Sequence, residues 1–252
     1  MLRRPLFVLL LGCALPLVTG RAAAREPSHS GQCLVVLTKG WSSTSGEMRA
    51  FERVGTAPAK WVQQGPGIPV VVGKQGLAPG RGLVRLDFGG RPFKKEGDDR
   101  APAGIFRLSS AFGYAPARSA AWVKLPYLAL SKQIEGVDDP KSRYYNQLVN
   151  RSSVAKVDWR SSEQMRRDDV LYKWGIVVAH NSKRIPGAGS CIFLHIWKNS
   201  STSTAGCTAM PESDVKRLLR WLSPAQDPIL VQMPRANYRA IRARYGLPAD
   251  GS

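Results

Sequence analysis

The sharpest alternation in the chain lies between residues 172 and 197. Tyr172, Trp174, Ile176, Val178 and His180 recur at every second position, the spacing of a strand with one covered face. The run Cys191 to Trp197 is cleaner. Ile192, Leu194 and Ile196 share one aliphatic face, while Cys191, Phe193, His195 and Trp197 point the other way. This predicts a strand whose His195 emerges from stiff backbone, away from the aliphatic core and close to the strand's end. Shorter apolar runs follow the same logic: a strand over 33–39, then pieces at 70–72, 83–88, 105–108 and 229–231, separated by Gly and Pro turns. One segment has helical spacing. Val215, Leu218, Leu219 and Leu222 fall at i, i+3, i+4 and i+7, with Pro211 in the first turn, Glu212 and Asp214 near the positive end, and Pro224 as the stop. A packed helix is expected over about 211–223, and a short surface helix near Tyr238–Arg242. Residues 94–100 form a charged loop, and 111–170 show little periodicity, which suggests functional loops over a scaffold. No internal repeat is found. The expectation is a mainly β domain with one packed helix and long loops.

Composition agrees with a globular chain. Of 252 residues, 43% are hydrophobic and 22% charged, which excludes a largely disordered protein. The net charge of +19 calls for anionic surroundings: nucleic acid, a membrane surface or an acidic polymer. The first residues narrow that choice. Met1-Leu2-Arg3-Arg4 is a positive start, Leu6 to Val18 an apolar run, and Ala22-Ala23-Ala24 a small-residue cleavage site. Together they read as a secretory signal peptide over 1–24, followed by an exposed linker over 25–32. Leu10-Leu11-Gly12-Cys13 also looks like a lipoprotein box, but the run stays apolar beyond Cys13, which favours the simple leader. No later segment is long and apolar enough to span a bilayer, so no transmembrane span is expected after processing. Export makes nucleic acid an unsuitable partner and points the basic surface toward an anionic cell envelope. An Arg- and Ala-rich coding bias would give the same excess with no partner.

Export also sets the reading of the cysteines. Three remain after the leader, Cys33, Cys191 and Cys207, so at least one stays unpaired. Cys33 and Cys191 open strand-like runs and are expected to form a disulfide, with two reduced core thiols as the alternative. Cys207 sits in the small, polar stretch Thr204-Ala205-Gly206-Cys207-Thr208, twelve positions after His195. A polar loop, 198–204, can double back and bring thiol and imidazole together. A thiol near its ordinary pKa is mostly protonated at neutral pH, so a neighbouring His and the N-terminus of the helix at 211 are expected to favour the thiolate. Gly206 permits positive φ beside the nucleophile, and the backbone N–H groups there are oxyanion donors by position. The plainer reading is a buried Cys beside a hydrogen-bonded His. His180 reads as a satisfied structural histidine. Asp98, Asp99 and Arg100 are either substrate contacts or a solvated loop, and Tyr144, Tyr145 and Trp197 either line a cleft or pack the core. No cluster has zinc spacing and no Gly-rich phosphate loop precedes a helix.

His195 followed by Thr204-Ala205-Gly206-Cys207 resembles the L,D-transpeptidase catalytic domain, the YkuD-type family of cell-wall enzymes. The run from Gly189 to Trp197 with Ala205 to Met210 is similar to a periplasmic bacterial branch of that family. Ala101-Pro102-Ala103-Gly104-Ile105-Phe106 is similar to its upstream Thr-Pro-x-Gly-x-Phe strand, and Asp138-Asp139-Pro140 with Tyr144-Tyr145-Asn146 also fits the branch. Two positions depart from the pattern: Ala205, where many members have His or Arg, and Ala209, where many have an Arg that helps to hold a substrate carboxylate. The resemblance implies a β-sandwich-like catalytic domain over 33–233 and leaves a basic tail over 234–252. It implies Cys207 as nucleophile and His195 as proton acceptor and donor, with Gly206 in the oxyanion region. Thr204, Trp197, Tyr145 and Arg100 are the expected substrate contacts. The implied reaction forms a thioester from a peptidoglycan stem tetrapeptide and transfers it to an amine, a 3→3 cross-link. With water as acceptor the enzyme would be an L,D-carboxypeptidase. A non-catalytic envelope-binding module is the reading from another class.

Overall fold

A computed structural model describes residues 27–55 and 60–250. The leader and Cys13 lie outside the described residues. The strands in chain order are β1 (Gln32–Thr38), β2 (Ser45–Val54), β3 (Lys60–Gln63), β4 (Ile68–Val71), β5 (Leu77–Pro79), β6 (Ala101–Gly113), β7 (Tyr127–Ala129), β8 (Ile134–Val137), β9 (Gln147–Asn150), β10 (Ser162–Gln164), β11 (Trp174–Val178), β12 (Phe193–Ile196), β13 (Thr208–Met210) and β14 (Ile229–Pro234). Helix α1 (Glu212–Trp221) precedes β14, and α2 (Arg235–Ile241) follows it directly.

The main sheet runs β1-β14-β6-β11-β12-β13-β4-β2, and β2 pairs back with β1. The fold is mainly β as expected, and this last pairing closes eight strands into a barrel-like ring without free edges. Each strand therefore has an inner and an outer face. Leu34 and Val36, Met48 and Ala50, Ile68 and Val70, Phe106 and Leu108, Ile176, Leu194, Met210 and Leu230 bring all eight strands to one cluster, the inside. Val215, Leu218 and Leu219 of α1 join it, so the helix read at 3.6-residue spacing buries its apolar stripe against the ring.

The outer faces form two smaller clusters. One holds Cys33, Val35 and Leu37 of β1 with Ile229, Val231 and Met233 of β14, covered by Tyr238 of α2 and by Leu77 and Phe88. The run 83–88 read as a strand is irregular chain over this face. The expected basic tail is part of the same cover: Tyr238 is fully buried and donates to the Pro248 carbonyl at 2.7 Å. At the other end, Gln32 of the expected linker is already buried in β1. The second outer cluster holds Phe112, Phe193 and Cys207, covered by Leu130, Ile134, Met165 and Tyr172. Apart from Tyr172, which sits in a turn just before β11, its cover comes from the stretch read as irregular, which contains β7 and a separate sheet ordered β10-β8-β9.

The disulfide expected between Cys33 and Cys191 is not formed; both are free thiols. Cys33 lies on β1 and Cys191 at the entry to β12, which are four steps apart in either direction around the ring. At about 4.8 Å per strand that separation far exceeds the roughly 7 Å a disulfide spans between Cα atoms.

Candidate active site

The alternation of 191–197 survives intact. Ile192, Leu194 and Ile196 lie in the inner cluster, and Phe193 and Cys191 belong to the outer one. β12 and β13 pair in parallel, with Leu194 beside Thr208, His195 beside Ala209 and Ile196 beside Met210. Extending that register by one step sets Cys207 beside Phe193. In a parallel ladder paired residues share a face, so Cys207, Phe193, His195 and Ala209 all look outward. The Cα atoms of Cys207 and His195 are then diagonal neighbours, about 8 Å apart from strand spacing and rise, with both side chains projecting to the same side.

The loop after Trp197 doubles back because it is pinned. Thr204 N–H donates to the Val72 carbonyl (2.9 Å), and the Thr204 carbonyl accepts from Lys74 N–H (2.8 Å). Thr204 Oγ1 then braces the turn, donating to the Cys207 carbonyl (2.7 Å) and accepting from Gly206 N–H (3.1 Å). Gly206 has φ +148, a conformation that L side chains rarely adopt. The Gly206 N–H expected to face an oxyanion is thus committed to Thr204, and the Cys207 N–H is the remaining backbone donor of the expected pair.

His195 is buried, with Nδ1 2.7 Å from the Ile196 carbonyl oxygen. A carbonyl only accepts, so Nδ1 carries the proton and Nε2 keeps the lone pair. The edge of the Tyr172 ring packs against the imidazole, centroids 5.2 Å apart, and the Tyr172 hydroxyl donates to Glu163 Oε1 at 2.6 Å. Cys207 Sγ accepts from Phe193 N–H (3.3 Å) and donates to the Cys191 carbonyl (3.6 Å). Burial pushes the Cys207 thiol up to about 12, with Glu163 adding to the rise and the Phe193 N–H and Lys94 opposing it. Burial likewise pulls His195 down to about 4, partly countered by its bond to Ile196. The resting pair is a neutral thiol and a neutral imidazole. The thiolate expected from the helix end does not form at rest, because β13 carries the chain about 10 Å beyond Cys207 before α1 begins, and a helix dipole acts within about its first turn.

Cys207 and His195 open onto a cavity of about 620 Å³ that Trp197, Thr204, Lys94 and Glu163 also line. Of the expected substrate contacts, Trp197 and Thr204 line this cavity, although Thr204 spends its hydroxyl on the backbone. Two expected contacts are elsewhere. Tyr145 is fully buried, with its hydroxyl on the Glu96 carboxylate, and Tyr144 packs edge-on against Trp159. Arg100 turns its guanidinium to the Leu77 carbonyl (3.3 Å) and lines a separate cavity of about 280 Å³. Asp98 organises its own loop, accepting from Lys94 Nζ (2.7 Å), Lys95 N–H (2.8 Å) and Arg100 N–H (3.0 Å). His180 is structural as expected. Its Nδ1 accepts from Arg81 N–H (3.2 Å) and its Nε2 donates to the Ala188 carbonyl (2.9 Å). Lys94, Glu163 and Tyr172 are the site residues that sequence reasoning missed. Tyr172 showed in the alternation but only as a strand position, and no spacing singles out the other two.

A family model for the L,D-transpeptidase catalytic domain, YkuD, matches residues 60–231, about two thirds of the chain. The chain therefore belongs to the L,D-transpeptidase catalytic domain family, whose members act on peptidoglycan. The match starts at β3, so β1 and β2, which close the ring, precede it. No curated protein matches the chain. Among the described residues no helix is long and apolar enough to cross a membrane.

Proposed function

We propose that this chain is exported by its first 24 residues and acts on the cell envelope as a cysteine L,D-transpeptidase, with Cys207 as nucleophile and His195 as the proton carrier. The observation that carries the reading is the shared outward face of the β12–β13 ladder, where Cys207 opens onto the same cavity as an imidazole whose Nδ1–H is locked on the Ile196 carbonyl. That lock leaves Nε2 as the base and makes a backbone carbonyl the third member of the catalytic group.

Because the resting pair is neutral, the thiol proton moves to His195 Nε2 as Sγ attacks the carbonyl carbon between the L-centre of the stem peptide and its terminal D-Ala. The oxyanion forms beside the Cys207 N–H. The imidazolium then returns the proton to the departing D-Ala nitrogen, and a thioester remains on Cys207. An acceptor amine gives a proton to Nε2, attacks the thioester and expels Sγ, which is reprotonated. No metal or organic cofactor enters these steps. Water in place of the amine gives L,D-carboxypeptidase action at the same atoms.

Incubation with a carbapenem tests the nucleophile. A covalent adduct on Cys207, seen by peptide mass spectrometry and lost in Cys207→Ala, is expected. A wild-type protein that stays unmodified would favour a non-catalytic envelope-binding module. Muropeptide analysis after incubation with isolated cell wall then separates 3→3 cross-links from trimmed stems.

A further inference from the structure

Lys94 is an unusual lysine for an open loop: its side chain is only 4% exposed, and its ammonium sits 2.7 Å from Asp98 Oδ1. Lys, with a strongly hydrated head, is rarely found so buried unless paired. The ammonium is also packed against the backbone that carries the thiol. A side-chain carbon placed on Gly206 would stand 3.3 Å from Lys94 Nζ and 3.2 Å from the Arg100 carbonyl oxygen. Lower on the same side chain, Lys94 Cε would be 2.9 Å from a carbon placed on Gly189, where His180 Nε2 is also close, at 3.0 Å. Two glycines therefore leave room for this one lysine, one of them immediately before Cys207. Lys94 lines the Cys207 cavity.

We propose that Lys94 is the resident counter-charge of the thiol: its ammonium, held by Asp98 beside the Gly206 backbone, stabilises the anion that develops on Cys207 Sγ and on the oxygen of the carbonyl that Sγ attacks. It takes the place expected of the helix end, which is too far away, and it brings a positive charge to the site where Ala209 offers none. The proposal rests on Cys207 being the nucleophile. Asp99, Asp138, Arg167 and Lys198 line the same cavity; Asp99 is paired with Lys74 (2.9 Å), Asp138 accepts from Ser161, and Arg167 is spent on Asp169 (2.8 Å) and Glu163 (3.5 Å). Asp98 faces the ammonium from its own loop, and Glu96 is held by Tyr145. His180, behind Gly189, is pulled down to about 4 by burial and is neutral near pH 7. Glu163 opposes ionisation of the thiol and His195 is neutral, while Cys191, held up by burial, keeps its proton.

Alkylation of Cys207, followed by peptide mass spectrometry so that Cys33 and Cys191 are scored separately, tests this without any substrate. In Lys94→Met the pH–rate profile for iodoacetamide should move up by about one pH unit, so that the rate at a fixed pH falls about tenfold. The preference for anionic iodoacetate over neutral iodoacetamide should fall by a similar factor. Lys94→Arg should keep both near wild type, and Lys94→Met/Asp98→Asn should behave like Lys94→Met, which sets aside the effect of an orphaned carboxylate. A folded Lys94→Met with an unmoved profile and preference overturns the proposal. If the Met variants do not fold, the wild-type protein decides: an iodoacetate preference at Cys207 above that of free cysteine supports the cation, and one at or below it overturns it. Failure of carbapenem acylation with these shifts intact would sink the transpeptidase reading and leave Lys94 in place; the reverse pattern would do the opposite.

Discussion

Cys33 and Cys207 are both buried thiols on the outer surface of one ring, under two different covers. Over Cys33 the cover is α2, which leaves β14 with no loop between, and Tyr238 fills the space as hydrocarbon with its hydroxyl tied off. Over Cys207 the cover is the long excursion between β7 and β11, which packs Tyr172 and Met165 on the cluster but leaves a cavity at its margin. Burial raises both thiols. What separates them is access and partners: one faces apolar side chains, the other an open cavity with an imidazole and an ammonium near by. The two buried histidines repeat the contrast. Both are pulled down to about 4, but His180 uses both ring nitrogens on backbone, whereas His195 uses one. Burial and a shifted pKa alone do not mark a reactive residue; an unspent lone pair at a cavity does.

The comparison breaks most visibly at the thiols. Cys207→Ala should lose the carbapenem adduct completely while Cys33→Ala keeps it, with intact mass as the measurement; an adduct that persists in Cys207→Ala would reverse the assignment. His195→Ala should slow acylation by about 10²–10⁴-fold, the usual size of a general-base contribution, at a smaller cost in stability than at His180, because only the Ile196 carbonyl loses a partner. His180→Ala should spare acylation and cost more stability. It leaves the Arg81 N–H and the Ala188 carbonyl unpaired and should cost about 2–4 kcal/mol in urea unfolding, while its folded fraction still acylates.

Acid sharpens the same pair. Each histidine binds a proton more readily unfolded than folded, so its contribution to stability is present above about pH 6.5 and is lost as pH falls toward about 4. The full loss is about 3 kcal/mol per histidine. Urea midpoints across that window should fall in wild type and fall less in either His→Gln variant. Equal slopes in all three would show that neither ring is held neutral. The smallest effect belongs to the dry flank: Cys33→Ala should cost about 1–2 kcal/mol through the lost packing of one sulfur, read as a lower urea midpoint with unchanged acylation.

Much of the site's frame was legible in the chain. The two-residue period of 191–197 says which residues face inward, because every second Cβ points the same way, and His195 followed from that. The four aliphatic positions between 215 and 222 fix a helical stripe, and Gly206 announced a turn that other residues resist. A period reports a face, however, and never the neighbouring strand. That β1 pairs with both β14 and β2, and so lies across the ring from β12, is a long-range fact, and it removed the Cys33–Cys191 disulfide. Nor could local pattern say that three residues of β13 would carry α1 away from the thiol. Lys94, Glu163 and Tyr145 come from aperiodic stretches whose side chains meet partners far along the sequence, so their directions were decided only when the covers settled on the ring. The proposed base stands on a regular strand and the proposed nucleophile one residue before another, and both were readable from spacing; the charges and walls around them come from loops, where position depends on contacts that no local repeat encodes.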